Sequence, residues 1–347
     1  MLTRLGAGAI VLLALTISLR ATLVPPAQPG APPRLSDTGL YAAGQSGVID
    51  ARNRPFSPQY PLWSDGAIKR RWVYLPPGAT IDATGSEWDL PVGVRFWKEF
   101  SFSGRQVETR FLWRASADHW VFASYAWNGD GTDAQLASTD GVPGAADLAP
   151  NKQHTIPSVS DCRACHQSRG VEALGFNALQ LSTDRDAGAI HAESLTQDMI
   201  TLQTLVGEGR LRRARPDLVT DPPRIRASSA ATRSVLGYLS ANCGTCHNRD
   251  SDLALLGASL KHSDILDGDA VVQAMRGRRT LWQRPGAPDG TTLLIDSSSP
   301  TSSALLLRMH SRRPSSQMPP LGTVLADDVA IDRITRWIRD YFSGSSP

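Results

Sequence analysis

Apolar and polar residues alternate with a period of two along several short runs in the first half of the chain. In residues 107–114, Val107, Thr109, Phe111 and Trp113 fall on one side, while Glu108, Arg110 and Arg114 fall on the other. In residues 120–127, Val121, Ala123, Tyr125 and Trp127 share a side. Residues 71–75 and 94–102 are equally rich in aromatic and β-branched side chains, and Gly, Pro and Asp bound the runs. Alternation between turn signals predicts antiparallel strands, with Ser103-Gly104 as a hairpin turn. Seven of the nine Trp lie between Trp63 and Trp127. Residues 56–150 are therefore expected to form a Trp-rich, antiparallel β-sandwich-like domain.

The period changes downstream. In residues 228–242, Val235, Leu236 and Leu239 form a stripe at helical spacing that leads into Cys243. In residues 327–342, Ile334, Trp337, Ile338 and Tyr341 share one helical face, and Asp327 and Asp328 suit its N-terminus. A third helix is expected over residues 194–206. The expected architecture is multi-domain α and β: a β-sandwich-like domain, then a mostly α-helical region divided at 151–225 and 226–347.

Residues 5–19 are apolar or small without interruption, follow Arg4 and stop at Arg20 and Pro25-Pro26. That length fits an export signal over residues 1–24, or an uncleaved N-terminal anchor to the cytoplasmic membrane. Either way the rest of the chain is expected in the periplasm. Residues 25–55 begin with Pro, Ala and Gly and read as a linker, with 25–38 as an extended spacer. The 347 residues are 41% apolar and 20% charged, which excludes a disordered, collagen-like or coiled-coil chain. The 36 Lys+Arg against 33 Asp+Glu are scattered, so no basic stripe marks a nucleic-acid partner.

All four Cys lie in two matching sequences, Cys162-Arg-Ala-Cys165-His166 and Cys243-Gly-Thr-Cys246-His247. C-x-x-C-H is the attachment sequence of c-type haem. Two thiols three positions apart each form a thioether to one edge of the macrocycle, and the adjacent His supplies a nitrogen to the iron. A zinc ribbon is disfavoured because 77 residues separate the two pairs. A thioredoxin-like motif needs a βαβ setting, and local disulfides leave the two His unexplained. Two covalently bound haem c groups are expected, with His166 and His247 as proximal ligands. The second ligand of the first haem stays open among Met199, Met309, His154, His191 and none. Asn128 to Asp133 resembles part of a calcium loop but reads as a turn. Pro61 to Gly66 reads as a structural turn rather than a ligand-facing loop.

Helix, CxxCH, a long irregular stretch, Met318-Pro-Pro and a terminal helix form a layout that resembles class I cytochrome c over about 120 residues. The resemblance implies that Met318 is the distal ligand of the second haem and that the two flanking helices pack together. The chain after its leader also resembles a group of exported bacterial di-haem cytochromes without an assigned activity. The residues that carry this are Pro61-Leu-Trp-Ser-Asp-Gly-Ala67, Lys69-Arg70-Arg71, Trp88-Asp-Leu-Pro-Val-Gly93, Val107-Glu-Thr-Arg110, both CxxCH motifs, Arg308-Met309 and Met318-Pro-Pro-Leu-Gly322.

The expected function is electron transfer between redox proteins of the periplasm or membrane. Two alternatives stand beside it. One is a peroxidase-like di-haem oxidoreductase with an open first haem. The other is a ligand-binding β domain with a haem relay, which exposed Trp side chains would favour and buried ones disfavour.

Overall fold

The period-two runs become strands. In this computed structural model, residues 30–45, 47–167, 173–257, 259–288 and 290–343 are described. Their strands are β1 (Asn53–Pro55), β2 (Ile68–Tyr74), β3 (Ile81–Asp82), β4 (Arg95–Phe102), β5 (Arg105–Ser116), β6 (His119–Trp127), β7 (Ala134–Leu136), β8 (Val142–Ala149), β9 (Lys152–Ile156) and β10 (Leu211–Arg212). Six of them form one antiparallel sheet in the order β1-β2-β4-β5-β6-β7. The β4–β5 hairpin turns at Ser103-Gly104, both at positive φ. The leader expected over residues 1–24 lies outside the described residues. No helix among the described residues is long and apolar enough to cross a membrane.

The two faces of the sheet are covered differently. One carries the cross-strand row Trp72, Trp97, Phe111 and Ala123. Leu35 and Leu40, both fully buried, pack on this row. Part of the stretch expected to be a linker is thus a cover for the sheet. The opposite face carries Val73, Phe96, Leu112 and Phe122, packed with Phe56, Trp88, Phe176, Leu181, Ile200, Leu202, Leu205 and Leu218. The same face also carries the row Arg71, Lys98, Arg110 and Ser124.

The expected fold class needs correction on two points. First, no full second sheet faces the six-stranded one: the two-stranded β8–β9 hairpin packs on it, through Ala146 and His154, and irregular chain from residues 31–49 and 173–218 covers the rest. Second, the region after it is not mostly α-helical. It contains α1 (Val159–His166), α2 (Leu202–Gly207), α3 (Ala230–Cys243), α4 (Gly268–Met275), α5 (Ala304–His310) and α6 (Asp328–Ser343), joined by long irregular stretches. Pro216, Pro222 and Pro223 interrupt one such stretch, and Pro285, Gly286, Pro288 and Pro300 another. Proline lacks the N–H that a helix interior needs, which keeps these segments in turns. The helix expected over 194–206 is reduced to α2, which starts where Thr201 caps it by accepting from the Thr204 N–H.

The helices predicted from the apolar stripes around Cys243 and at the C-terminus do form and do pack together. Val235, Leu236 and Leu239 of α3 share a core with Ile334, Trp337 and Ile338 of α6. Each such side chain contributes about 1.5–3 kcal/mol by leaving water. Asp327 caps α6, its Oδ1 accepting from the Ala330 N–H at 3.0 Å. Gly237 explains a helix-weakening residue in mid-α3: a Cβ there would lie 2.1 Å from the Tyr60 ring, so only glycine admits that ring.

Candidate functional site

The first motif is the last part of α1. Ser158 and Asp161 form a capping box: Ser158 Oγ accepts from the Asp161 N–H at 3.0 Å, and Asp161 Oδ2 accepts from the Ser158 N–H at 3.0 Å. Ser158 is thus the N-cap of α1. One helical turn brings Cys162, Cys165 and His166 onto a common side. Cys162 packs against the sheet's apolar face. The His166 ring lies 5.7 Å from the Phe122 ring, centroid to centroid.

The second motif follows the end of α3. Asn248 Nδ2 donates to the carbonyls of Gly244 (3.0 Å) and Thr245 (2.8 Å), which fixes the turn through Cys246 and His247. The Leu260 N–H donates to the His247 carbonyl at 2.8 Å. Gly244 must be small, because a Cβ there would come within 2.7 Å of the Leu260 carbonyl oxygen and 2.5 Å of that of Ser240. Cys243 packs against the α3–α6 core.

Both motifs open onto one cavity. His166 lines it from the first, Gly244 and Thr245 from the second, and Arg71, Lys98 and Arg110 from the sheet. Its volume is about 150 Å³, and it widens into an open mouth. The Cys246 thiol adds to the burial that raises Cys165. Burial raises all four thiols, Cys165 to about 11 and Cys243 to about 12. They are therefore protonated at neutral pH and poor thiolate nucleophiles. No disulfide joins them. Among the described residues, no group of three or more His, Cys, Asp or Glu is arranged to hold a metal ion.

The charged wall of the cavity is built by strand pairing. Arg71, Lys98 and Arg110 are direct cross-strand neighbours on β2, β4 and β5. Arg71 Nη1 meets Glu193 Oε2 at 2.6 Å, and Ser57 Oγ donates to the same oxygen at 2.7 Å. Arg110 pairs with Glu108, with Nη2 3.2 Å from Oε2. Burial acts to raise the Glu108 carboxyl, but Arg110 and His154 outweigh it and hold it below its ordinary value. Burial drives Lys98 well below the usual ammonium range, and Arg71, Lys69 and Arg110 add to that. Lys69 is pushed down to about 8, by burial first and Arg71 next; its Nζ donates to the Leu62 carbonyl at 2.8 Å.

The other candidates sort clearly. Met318 is half-buried, and its N–H donates to the Arg308 carbonyl at 2.9 Å. Burial, and then the charge of Arg308, push the His247 imidazole below its ordinary value, so Met318 is tied to a residue close to His247. Met309 belongs to the α3–α6 core. His154 is buried, with Nε2 3.0 Å from Glu108 Oε2 and Nδ1 3.5 Å from Asp65 Oδ2. His191 lies 2.9 Å from both Asp327 oxygens and against the Trp63 ring. Met199 is half-buried in a turn before α2. Asn128 to Asp133 is a surface turn in which Asp130 Oδ1 accepts from Thr132.

Two residues that pattern reasoning missed define the cavity. His262 lines it together with His166. Its Nδ1 is 3.8 Å from Glu87 Oε1, and burial keeps its imidazole below its ordinary value. Nothing in the periodicity marks it, since it lies in an irregular loop after the second motif. Lys98 was hidden inside a predicted strand. The Pro61 to Gly66 turn is a connector, as expected of a structural turn: Asp65 Oδ1 accepts from the Val324 and Leu325 N–H groups at 2.8 and 2.9 Å. The Trp63 N–H donates to Asn242 Oδ1 at 2.8 Å. No protein-family model, curated protein or solved structure matches this chain, so the functional reading rests on its own side chains.

Proposed function

We propose that the chain is an exported di-haem c-type cytochrome that passes electrons between redox partners of the periplasm or membrane. The observation that carries this reading is that two C-x-x-C-H motifs, 77 residues apart in sequence, border one cavity, the first through His166 and the second through Gly244 and Thr245. The residues present fit the group. Each motif offers two thiols and an imidazole, and the cationic row offers counter-charge to carboxylates. Cys162 and Cys165, and Cys243 and Cys246, hold the two groups covalently. His166 and His247 are the proximal nitrogens, and Met318 serves beside His247. When bound, haem supplies a one-electron couple at its iron.

The chain's own residues do the rest. The sheet is a rigid wall for the site, which accounts for a β region ahead of the motifs. Phe122 and Leu112 keep water from the first motif, and the α3–α6 core does so for the second. Sharing one cavity keeps the two sites near each other, as transfer between them requires. The seven Trp of the β region count against a ligand-binding β domain: four are buried, three half-buried and none exposed.

A second reading is favoured by one pair. His262, its Nδ1 3.8 Å from Glu87 Oε1, lines the cavity that His166 also lines, and an imidazole beside a carboxylate suits either of two roles there. As a ligand it closes the first iron and leaves an electron carrier. As a free acid–base group it supports reduction of a small oxidant. Electron paramagnetic resonance of the oxidised holoprotein decides. Two low-spin signals are expected for the carrier, and a high-spin signal supports the oxidoreductase. A protein without any haem signal overturns both.

A further inference from the structure

We propose that Lys98 is an anion-binding residue of the cavity, placed to hold a carboxylate. This deepens the di-haem reading and rests on it for one of the two sources of that carboxylate.

The argument starts with the β2–β4–β5 ladder. Arg71, Lys98 and Arg110 stand directly opposite one another on the covered face. Like charges in that relation oppose strand pairing. The two outer cations have carboxylates of their own, Glu193 for Arg71 and Glu108 for Arg110. The middle one has none. Among the described residues Lys98 makes no hydrogen bond and no ion pair, and its Nζ sits 4.9 Å from the Phe100 ring centroid. Glu193 is an acid whose field reaches it, and Arg71 and Ser57 already occupy that acid. An ammonium half-buried between two arginines is costly unless an anion meets it.

The position identifies the anion. Lys98 lines the cavity with Arg71, Arg110 and His166. The row continues to Ser124 of β6, Cys162 packs against the same face, and the charge of Arg110 is felt at both Cys162 and Cys165. A group tethered at those thiols shares the cavity with Lys98. Haem c carries two propionate carboxylates, which match the requirement. A small free carboxylate entering the open mouth offers the same chemistry from a second source.

The test uses the full-length holoprotein, with attachment checked by intact mass, as wild type, Lys98→Gln and Lys98→Arg. Both substitutions keep a polar side chain of similar length, and neither leaves a new buried charge unmatched. Redox titration should show one of the two midpoints lowered in Lys98→Gln and the other unmoved, with Lys98→Arg restoring the first. A cation beside the group favours the reduced iron, so its removal lowers the potential. If added acetate leaves the wild-type midpoints unchanged, the carboxylate belongs to the tethered group. If acetate shifts a wild-type midpoint, and does so no longer in Lys98→Gln, the carboxylate is a free one. Midpoints of Lys98→Gln that equal those of the wild type, with or without acetate, overturn the proposal. A purified wild type of bare-chain mass would sink the di-haem reading instead. Lys98 is then judged by acylation of the four lysines, followed by peptide mass spectrometry. Acetate that slows modification of Lys98 at least tenfold, but not that of Lys152, supports the anion site, and equal rates overturn it.

Discussion

Glu108 and His154 meet in the interior with Oε2 and Nε2 3.0 Å apart, each almost without exposure to solvent. Asp65 stands 3.5 Å from the other imidazole nitrogen, and Arg110 binds Glu108 from the opposite side. This polar knot joins β5, β9 and the Pro61 to Gly66 turn directly behind the cationic row.

The knot predicts a pH profile. Glu108 is held below its ordinary 4.5, so its contribution is present above that value and is lost as pH falls through the depressed one. Burial opposes the charge on His154, but Asp65 and Glu108 raise it above 6.5. Its contribution is complete below 6.5 and is lost as pH rises through the raised value. Urea denaturation of the holoprotein should therefore show this pair at full strength between the two ordinary values. His154→Gln should remove the loss on the alkaline side, and a difference profile flat with pH would contradict the assignment.

Removing one member of the Glu108–Arg110 pair leaves a buried charge unmatched. Glu108→Gln alone should cost about 3–5 kcal/mol, and Glu108→Gln with Arg110→Met distinctly less than the two single costs added. A double-mutant cycle by chemical denaturation measures this, and additive costs would show that the pair is not coupled.

Gly237→Ala tests the approach of α3 to Tyr60. On an open helix face this change gains up to about 1 kcal/mol. Here the new methyl meets the Tyr60 ring, so a loss of about 1–3 kcal/mol is expected from the denaturation midpoint. A gain would mean that Tyr60 does not press on α3.

How much of this was legible beforehand follows from the physics of each element. Strands β4, β5 and β6 and helices α3 and α6 lie within a few residues of their expected places, because each has a local period that one face must satisfy. The alternation of β5 was visible too, but not which face would be inside. Glu108 is buried because Arg110 beside it and His154 from a distant segment match its charge, as Glu193 matches that of Arg71. The second layer of the expected sandwich was illegible for a similar reason: residues 173–218 have no period, yet Phe176, Leu181 and Leu205 cover the sheet. His262 gave no signal at all, since a loop histidine acquires its role from what folds around it.

Asp65 ties the loop that follows Met318 to the sheet. Asp65→Ala removes the acceptor of the Val324 and Leu325 N–H groups, at a cost of about 1–3 kcal/mol. Hydrogen–deuterium exchange should speed up at residues 323–325 and not in β4–β6. Under the proposed ligation the potential assigned to the His247 site shifts as well, and Met318→Ala lowers that same midpoint alone. A Met318→Ala protein with both midpoints unchanged would remove Met318 from the site.

The most direct measurement is the intact mass of the protein purified from a host that attaches c-type haem, compared with variants in which Cys162 and Cys165, or Cys243 and Cys246, are changed to Ser. The account predicts the mature chain plus two haem groups in the wild type, and plus one in either paired variant. A wild-type mass equal to the bare chain, or one that the serine substitutions leave without a stepwise loss of haem, would contradict it.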